Sequence, residues 1–328
     1  MITLFISYCI AFLAVFLLAP PFIRRMHDQG LVGKDMNKLT KPPVAELGGV
    51  VVFLGFSAGV FISILIATYL HWIDVELTFL LGGFCTIAMI TFIGVIDDII
   101  GWKKGIRQWQ HFIIPIIAAI PLVVVYAGHT TMVIPIIGEI NFLIFYPLII
   151  IPLAVTGASN AVNMLAGFNG LEAGQGIILT AALTFIAIMS GSPTAAILGV
   201  AMIAALLAFL KFNWFPAKIF GGDSLTLMIG ANLAVMSIIG GIEIFGLLLT
   251  SLFFVEFIIK AKHRLKSECF GIPNEDGTLS ANPKGGSLTQ WVMKIGKNKL
   301  TESKVTAIIL GLQIIISIKV IILFFLFK

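Results

Sequence analysis

Long apolar runs recur along the whole chain, at residues 2–23, 47–70, 78–97, 109–127, 143–163, 175–191, 193–211, 223–240, 242–260 and 304–326. Each is close to the length an α-helix needs to cross the hydrocarbon core of a bilayer. In that core only helices and closed barrels satisfy their own backbone groups. The expected fold is therefore an all-α polytopic membrane protein with about ten transmembrane helices. Composition agrees: 59% of the residues are hydrophobic and 11% charged, and the mean hydropathy is +1.08. A soluble domain of 328 residues does not look like this. The first run has no basic segment before it and no small-residue cleavage site after it, so it reads as a retained span. Cys9 and Cys85 fall in apolar runs and Cys269 in a long polar loop, which argues against a disulfide framework or a structural zinc site.

The basic residues set the expected orientation. Arg24, Arg25, Lys34, Lys38 and Lys41 lie in the first loop, Lys103, Lys104 and Arg107 in the third, and Lys211 and Lys218 in the seventh. The ninth loop holds Lys262, Arg264, Lys266, Lys284, Lys294, Lys297 and Lys299. The loops at 71–77, 128–142, 190–194 and 240–242 have no Lys or Arg. By the positive-inside rule the odd loops are cytoplasmic and both termini are outside. The net charge of +5 is thus used for topology, and no nucleic-acid partner is expected.

We expect one integral membrane domain over 1–328, with 261–303 as a large cytoplasmic substrate-binding loop. The 128–142 loop, rich in β-branched residues around Gly138-Glu139, suits a hairpin. In the ninth loop Asp276-Gly277 is a turn signal. There Leu288, Trp291, Val292 and Ile295 share one helical face among lysines, which predicts an interfacial helix on anionic lipid headgroups.

The chemistry gathers at one membrane face. The fifth run ends in SNAVNMLAGFNGLEAGQG, which holds Asn160, Asn163, Asn169, Glu172 and Gln175. Polar groups at membrane depth are costly, so such a cluster marks a functional site. Asn160 and Asn163 share a helical face, and Asn160 is a substrate-binding candidate. Asp97-Asp98 ends the third run. Neighbours on a helix diverge by about 100°, so one carboxylate faces a site while the other braces a loop. A carboxylate at a helix C-terminus opposes the macrodipole, which weakens the reading of an ordinary acidic terminus. Asp223 in FGGDS opens the eighth run and suits either an N-cap or a phosphate or metal site. Glu46, Asp35 and Lys34 lie in the first loop, and Lys262, His263 and Arg264 open the ninth. Basic groups beside carboxylates suggest an anionic substrate bridged by a metal. Asp and Asn oxygens without clustered Cys or His favour a hard cation such as Mg²⁺.

In order, GKDMNK with Glu46 following, GVIDDIIGW, NAVNMLAGFNGLEAGQG, FNWFPAKIFGGDS and AKHRL run over nearly the whole chain. On these pieces the sequence resembles the polyprenyl-phosphate N-acetylhexosamine-1-phosphate transferases, glycosyltransferase family 4. It looks most like the branch that makes dolichyl-diphosphate N-acetylglucosamine in eukaryotes and archaea. The resemblance implies an Mg²⁺-dependent phospho-N-acetylglucosamine transferase, with Mn²⁺ as the alternative ion. UDP-N-acetylglucosamine and a polyprenyl (dolichyl) phosphate would give polyprenyl-diphosphate N-acetylglucosamine and UMP, the first membrane step of a glycan such as an N-glycan.

The resemblance also implies residue roles. Asn163 and Asp223 would hold the metal. Gly167, Phe168, Asn169, Phe220 and Met36 would form the uridine pocket. Lys262, His263 and Arg264 would reach the diphosphate and sugar. Asp97 and Asp98 would lie near the acceptor phosphate, and Glu46 would help organise the site. Direct attack by the lipid phosphate and a two-step route through an aspartyl intermediate both stay open. The sequence departs from the family where relatives carry a lysine after the Asp-Asp pair: Gln110 and His111 stand there. It also has only His263 where the peptidoglycan branch is histidine-rich, which argues against a muramyl-pentapeptide donor. The expected partners are the nucleotide sugar, the lipid phosphate and membrane lipids, with a homodimer as a candidate assembly. The expected location is an archaeal or other prokaryotic plasma membrane with a cytoplasmic-facing site, with the endoplasmic reticulum membrane second. The alternatives are another UDP-N-acetylhexosamine donor with an undecaprenyl phosphate acceptor and, remotely, an anion transporter.

Overall fold

A computed structural model of the chain describes residues 1–100, 110–126, 129–134, 136–265, 267–283 and 285–327, without the side chains of His111 and Phe112. The topology residues Lys103, Lys104, Arg107, Lys266 and Lys284, and the His111 side chain set against the family lysine, lie outside the described residues.

The apolar runs fold as helices. Among the described residues eight are long and apolar enough to cross a membrane: α1 (Ile2–Asp28), α2 (Gly48–Leu65, extended to Leu70 by a π turn), α3 (Leu77–Ile100), α6 (Ile151–Met164, led by a π turn from Tyr146), α7 (Leu171–Met189), α8 (Pro193–Asn213), α9 (Gly222–Ile239) and α13 (Glu302–Phe327). A ninth is formed if α10 (Glu243–Leu249) and α11 (Ser251–Lys262), bent by 54° at Thr250, count as one span. The run expected over 109–127 is instead two short pieces, α4 (Gln110–Ala118) and α5 (Ile120–Val125). Pro115 and Pro121 each remove a backbone donor there, which breaks the ladder.

The architecture is that of an all-α polytopic membrane protein, and its centre is α9. Every residue from Ser224 to Ile238 is buried, and α2, α3, α6, α7 and α8 all pack against it. A helix apolar all round can only be stable when enclosed in this way. On the outside, α13 turns Ile314, Ile315, Ile318 and Ile322 outward, as a lipid-facing helix must.

The loops carry small sheets. β1 (Val32–Lys34) and β2 (Pro43–Ala45) pair antiparallel, Gly33 opposite Val44. Ala45 then bridges Ile219, and the Gly48 and Gly49 N–H groups donate to the Phe220 and Gly221 carbonyls. The first loop is thereby fastened to the entry of α9. The expected hairpin forms from β3 (Thr131–Ile134) and β4 (Gly138–Asn141). β5 (Ile272–Pro273), β6 (Thr278–Ser280) and β7 (Leu300–Thr301) make a three-stranded sheet, and Asp276 accepts from the Thr278 N–H and hydroxyl at the turn. These bonds favour the carboxylate and hold the Asp276 carboxyl below its ordinary range.

α12 (Leu288–Ile295) forms where a helix was expected, but its apolar face is divided. Leu288, Val292 and Met293 are buried where the helix packs on α11, α13 and β6, while Trp291 and Ile295 stay exposed. The helix packs inward because the Leu288 N–H is held by the buried carboxylate of Glu256 at 2.6 Å.

Candidate active site

The geometry at the entry of α9 separates the two neighbouring carboxylates. Asp98 accepts from the Asp223 N–H at 2.7 Å, the Ser224 N–H at 3.1 Å and the Ser224 hydroxyl at 2.7 Å. It is the cap of α9, supplied from the end of α3. Its charge sits where the orphan N–H groups of one helix compensate the unfavourable C-terminus of another. Asp223 does not cap its own helix. Gly222, at φ +73°, runs beside the Asp98 carboxylate, where a Cβ would lie 2.6 Å from Oδ1. Only glycine suits both the left-handed backbone and that approach.

Asp97 faces the other way and is buried. Its side chain hydrogen-bonds the Asp223 carboxyl, which is also bonded to Asn163. Asn163 Oδ1 takes the Thr226 hydroxyl at 3.1 Å. Side chains from the ends of α3, α6 and α9 thus meet: two carboxyls with hard oxygen donors, and an amide that donates its Nδ2 to Asp223 while its Oδ1 takes the Thr226 hydroxyl. Among the described residues no group of three or more His, Cys, Asp or Glu is arranged to hold a metal by itself. The donor set fits a hard divalent cation that takes its remaining ligands from substrate phosphates and water, as Mg²⁺ ordinarily does. Asn160, one turn earlier on α6, spends its Nδ2 on the Thr156 carbonyl.

Glu46 comes from the first loop, its carboxyl lying over Gly33. Burial, and then the nearby charge of Asp98, raise its carboxyl above the ordinary range. Native Glu46 therefore binds its proton more tightly than the unfolded chain does. Its contribution to stability is present at low pH and is lost as pH rises from the ordinary glutamate value through the raised one. Glu46→Gln should gain thermal stability on the wild type at about pH 7 relative to about pH 4. An identical difference in melting temperature at both pH values would refute this.

The fifth loop is the second half of the site. Phe168 and Asn169 are buried, and the pieces around them come from far apart in sequence. Gly167 N–H donates to Glu172 Oε1 at 2.6 Å, and the Gly167 carbonyl accepts Asn37 Nδ2 at 2.9 Å. Asn169 N–H donates to Glu302 Oε1 at 2.9 Å, and its Nδ2 donates to Asp35 Oδ2 at 3.1 Å. Asn37 Oδ1 also takes the Gly271 N–H of the ninth loop at 3.0 Å. Sequence reasoning missed Asn37 and Glu302. The signal for Asn37 was its place in GKDMNK; Glu302, at the first turn of α13, gave none.

Sequence reasoning also missed Lys260. Its Nζ bonds the Met164 carbonyl and lies 3.4 Å from Glu256 Oε1, tying α11 to the end of α6. Cys269 sits beside it, and burial pushes its thiol up, as for an inert core cysteine. Lys262, His263 and Arg264 are exposed at the end of α11. His263 Nδ1 meets the Ile259 carbonyl at 3.0 Å, and none of the three bonds the carboxyl cluster among the described residues. Phe220 is placed by its backbone against Ala45, and Met36 is half-buried in the first loop.

Residues 80–241 match the model of glycosyl transferase family 4. The chain is 40% identical to a protein of Sulfolobus acidocaldarius, covering 88% of this chain and 87% of that one. It is 39% identical to one of Saccharolobus solfataricus, covering 92% and 90%. Both relatives are provisionally named UDP-N-acetylglucosamine–dolichyl-phosphate N-acetylglucosaminephosphotransferases. A phospho-N-acetylmuramoyl-pentapeptide-transferase of Clostridium botulinum is 28% identical over 73% of this chain and 74% of its own.

Proposed function

Because the chain belongs to glycosyl transferase family 4, we propose that it transfers N-acetylglucosamine-1-phosphate from UDP-N-acetylglucosamine to a dolichyl-type polyprenyl phosphate, releasing UMP. The observation that carries this reading is the meeting of Asp97, Asn163 and Asp223 beside the 167–169 loop. That arrangement joins charge-holding oxygens to a buried loop able to take a base. The active site faces the cytoplasm, and the product begins a membrane-linked glycan.

In the reaction an oxygen of the lipid phosphate attacks the β-phosphorus of the nucleotide sugar. The bond from that phosphorus to the oxygen bridging to the α-phosphorus breaks, and UMP leaves with the electron pair. A phosphate monoester is largely ionised near neutral pH, so it needs little help from a base. Asp97 positions the acceptor phosphate and takes any last proton from it. Asp98 keeps the entry of α9 in place, so that the Asp223 carboxyl stays between Asp97 and Asn163. Asn163 and Asp223 would hold Mg²⁺, which when bound neutralises charge on the diphosphate. Lys262, His263 and Arg264 reach the diphosphate and sugar from the exposed end of α11.

Purified protein given radiolabelled UDP-N-acetylglucosamine and dolichyl phosphate should make lipid-linked label and UMP with Mg²⁺, and neither with EDTA. Transfer that survives EDTA would remove the metal from this reading but keep the substrates. No transfer from any member of a UDP-sugar panel would sink it.

A further inference from the structure

The loop Gly167–Phe168–Asn169 is held by side chains from well-separated segments. The Gly167 N–H and carbonyl are taken by Glu172 and Asn37, and the Asn169 N–H by Glu302. The Thr306 hydroxyl donates to the Asn169 carbonyl at 3.4 Å. The one loop side chain gripped in the same way is that of Asn169, through Asp35. Asp35 is buried and braced in turn: its Oδ1 takes the Asn37 N–H at 3.2 Å, and Lys38 pairs with its Oδ2. Lys38 also reaches Glu302 Oε2 at 3.0 Å and lies over the Phe215 ring, 4.5 Å from its centroid.

This grip has a direction. A carboxylate paired with a lysine accepts hydrogen bonds and donates none. It therefore selects the Nδ2 end of the Asn169 amide and turns the Oδ1 end away. Among the described residues no donor meets that Oδ1. With one Nδ2 proton on Asp35 the amide is fixed in one orientation, and its Oδ1 is left to a ligand as an acceptor. Uracil carries one ring donor, the N3–H, between two carbonyls. Cytosine has an acceptor at the same ring position, and two acceptors facing each other repel.

We propose that Asp35 is a specificity-determining positioning residue: by fixing the amide of Asn169 it presents Oδ1 to the N3–H of uracil and so selects uridine over cytidine nucleotides. This rests on the reading that the 167–169 loop lines the nucleotide pocket. Lys38 and Glu302 support the selection by holding Asp35 and the Asn169 backbone.

The first arm of the test uses the wild-type protein and competition against UDP-N-acetylglucosamine turnover. UMP should inhibit at least about tenfold more tightly than either CMP or N3-methyl-UMP, which lacks the donor, as expected for one oriented hydrogen bond. The second arm uses Asp35→Asn, whose amide can face Asn169 either way. It should lower the UMP-over-CMP preference about tenfold and raise the KM for the nucleotide sugar. Its kcat and its KM for the lipid phosphate should move less than about twofold. Pairing Asp35→Asn with Asn169→Asp reverses donor and acceptor across the contact and should restore the preference. If N3-methyl-UMP inhibits as well as UMP, the inference falls whatever the variants do. A well-folded Asp35→Asn protein with lower kcat and unchanged nucleotide preference would likewise reduce Asp35 to a structural residue. If neither UMP nor CMP competes in the wild type, the uridine reading itself falls and takes this inference with it.

Discussion

Asp223→Asn is expected to lower turnover by about 10²–10³-fold with little loss of thermal stability, the cost of removing one charge-stabilising group from a preorganised site. The structure separates the two effects. What anchors the entry of α9 is the backbone N–H of Asp223, held by Asp98, and the substitution leaves that N–H in place. What changes is the carboxyl that lies between Asp97 and Asn163. An amide of the same shape keeps the packing but cannot supply the anionic oxygen a divalent cation requires. Asp98→Asn should behave in the opposite sense. It puts an N–H₂ group opposite backbone donors that are already committed, so it should lower the melting temperature and reduce kcat through misplacement. Turnover measured over a range of Mg²⁺ and Mn²⁺ concentrations, beside thermal melts in detergent, distinguishes the two. An Asp223→Asn protein within tenfold of wild type would remove Asp223 from the charge-holding role.

How far the sequence could be read depended on how local each signal was. The spans were legible because each run carries its own hydrophobicity. Two runs differed: 109–127, where two prolines divide the run into α4 and α5, and 242–260, which bends by 54° between α10 and α11. The Asp97-Asp98 pair was legible as a divided pair, since adjacent helical residues must diverge. Which of the two braces a loop depended on Ser224, a partner 126 residues away. The clamp on the fifth loop was less legible still. Glu302 reads as an ordinary acidic first-turn residue of α13, and its bonds to Lys38 and the Asn169 N–H span 264 and 133 residues. No periodicity or motif can encode a contact of that kind. The lysine–aromatic face of the ninth loop misled for a related reason. Leu288 and Val292 do share a face with Trp291 and Ile295, but the packing of α12 on α11, α13 and β6, and the carboxylate of Glu256, decide which part of it is buried.

The spacing of the reactive groups is set by two glycines, and alanine at either should cost more activity than stability. Gly94 of α3 lies one turn before Asp97, and a Cβ there would stand 2.5 Å from the Cα of Ser224 and 2.7 Å from the carbonyl carbon of Asp223. Gly230 of α9 faces α6, where a Cβ would stand 2.5 Å from the Cα of Ser159, four residues before Asn163. In both cases the obstacle is backbone, which cannot swing aside as a side chain does. The helices would have to part by about 1 Å, in an interior packed too densely to absorb it. These helices bring Asp97, Asn163 and Asp223 together, so the displacement is passed to the reacting groups. A misplacement of about 1 Å can cost about 10²-fold in rate, whereas overpacking typically costs about 1–3 kcal/mol in stability. Gly94→Ala and Gly230→Ala are therefore expected to lose about 10²-fold in kcat while remaining folded. Gly157, on α6, has nothing within 4 Å of its Cβ position, so Gly157→Ala is the matched control and should leave kcat unchanged. If Gly94→Ala and Gly230→Ala lose melting temperature but keep the kcat of the control, the glycines serve packing alone, and the close approach of α3 and α6 to α9 is not what positions the carboxyls.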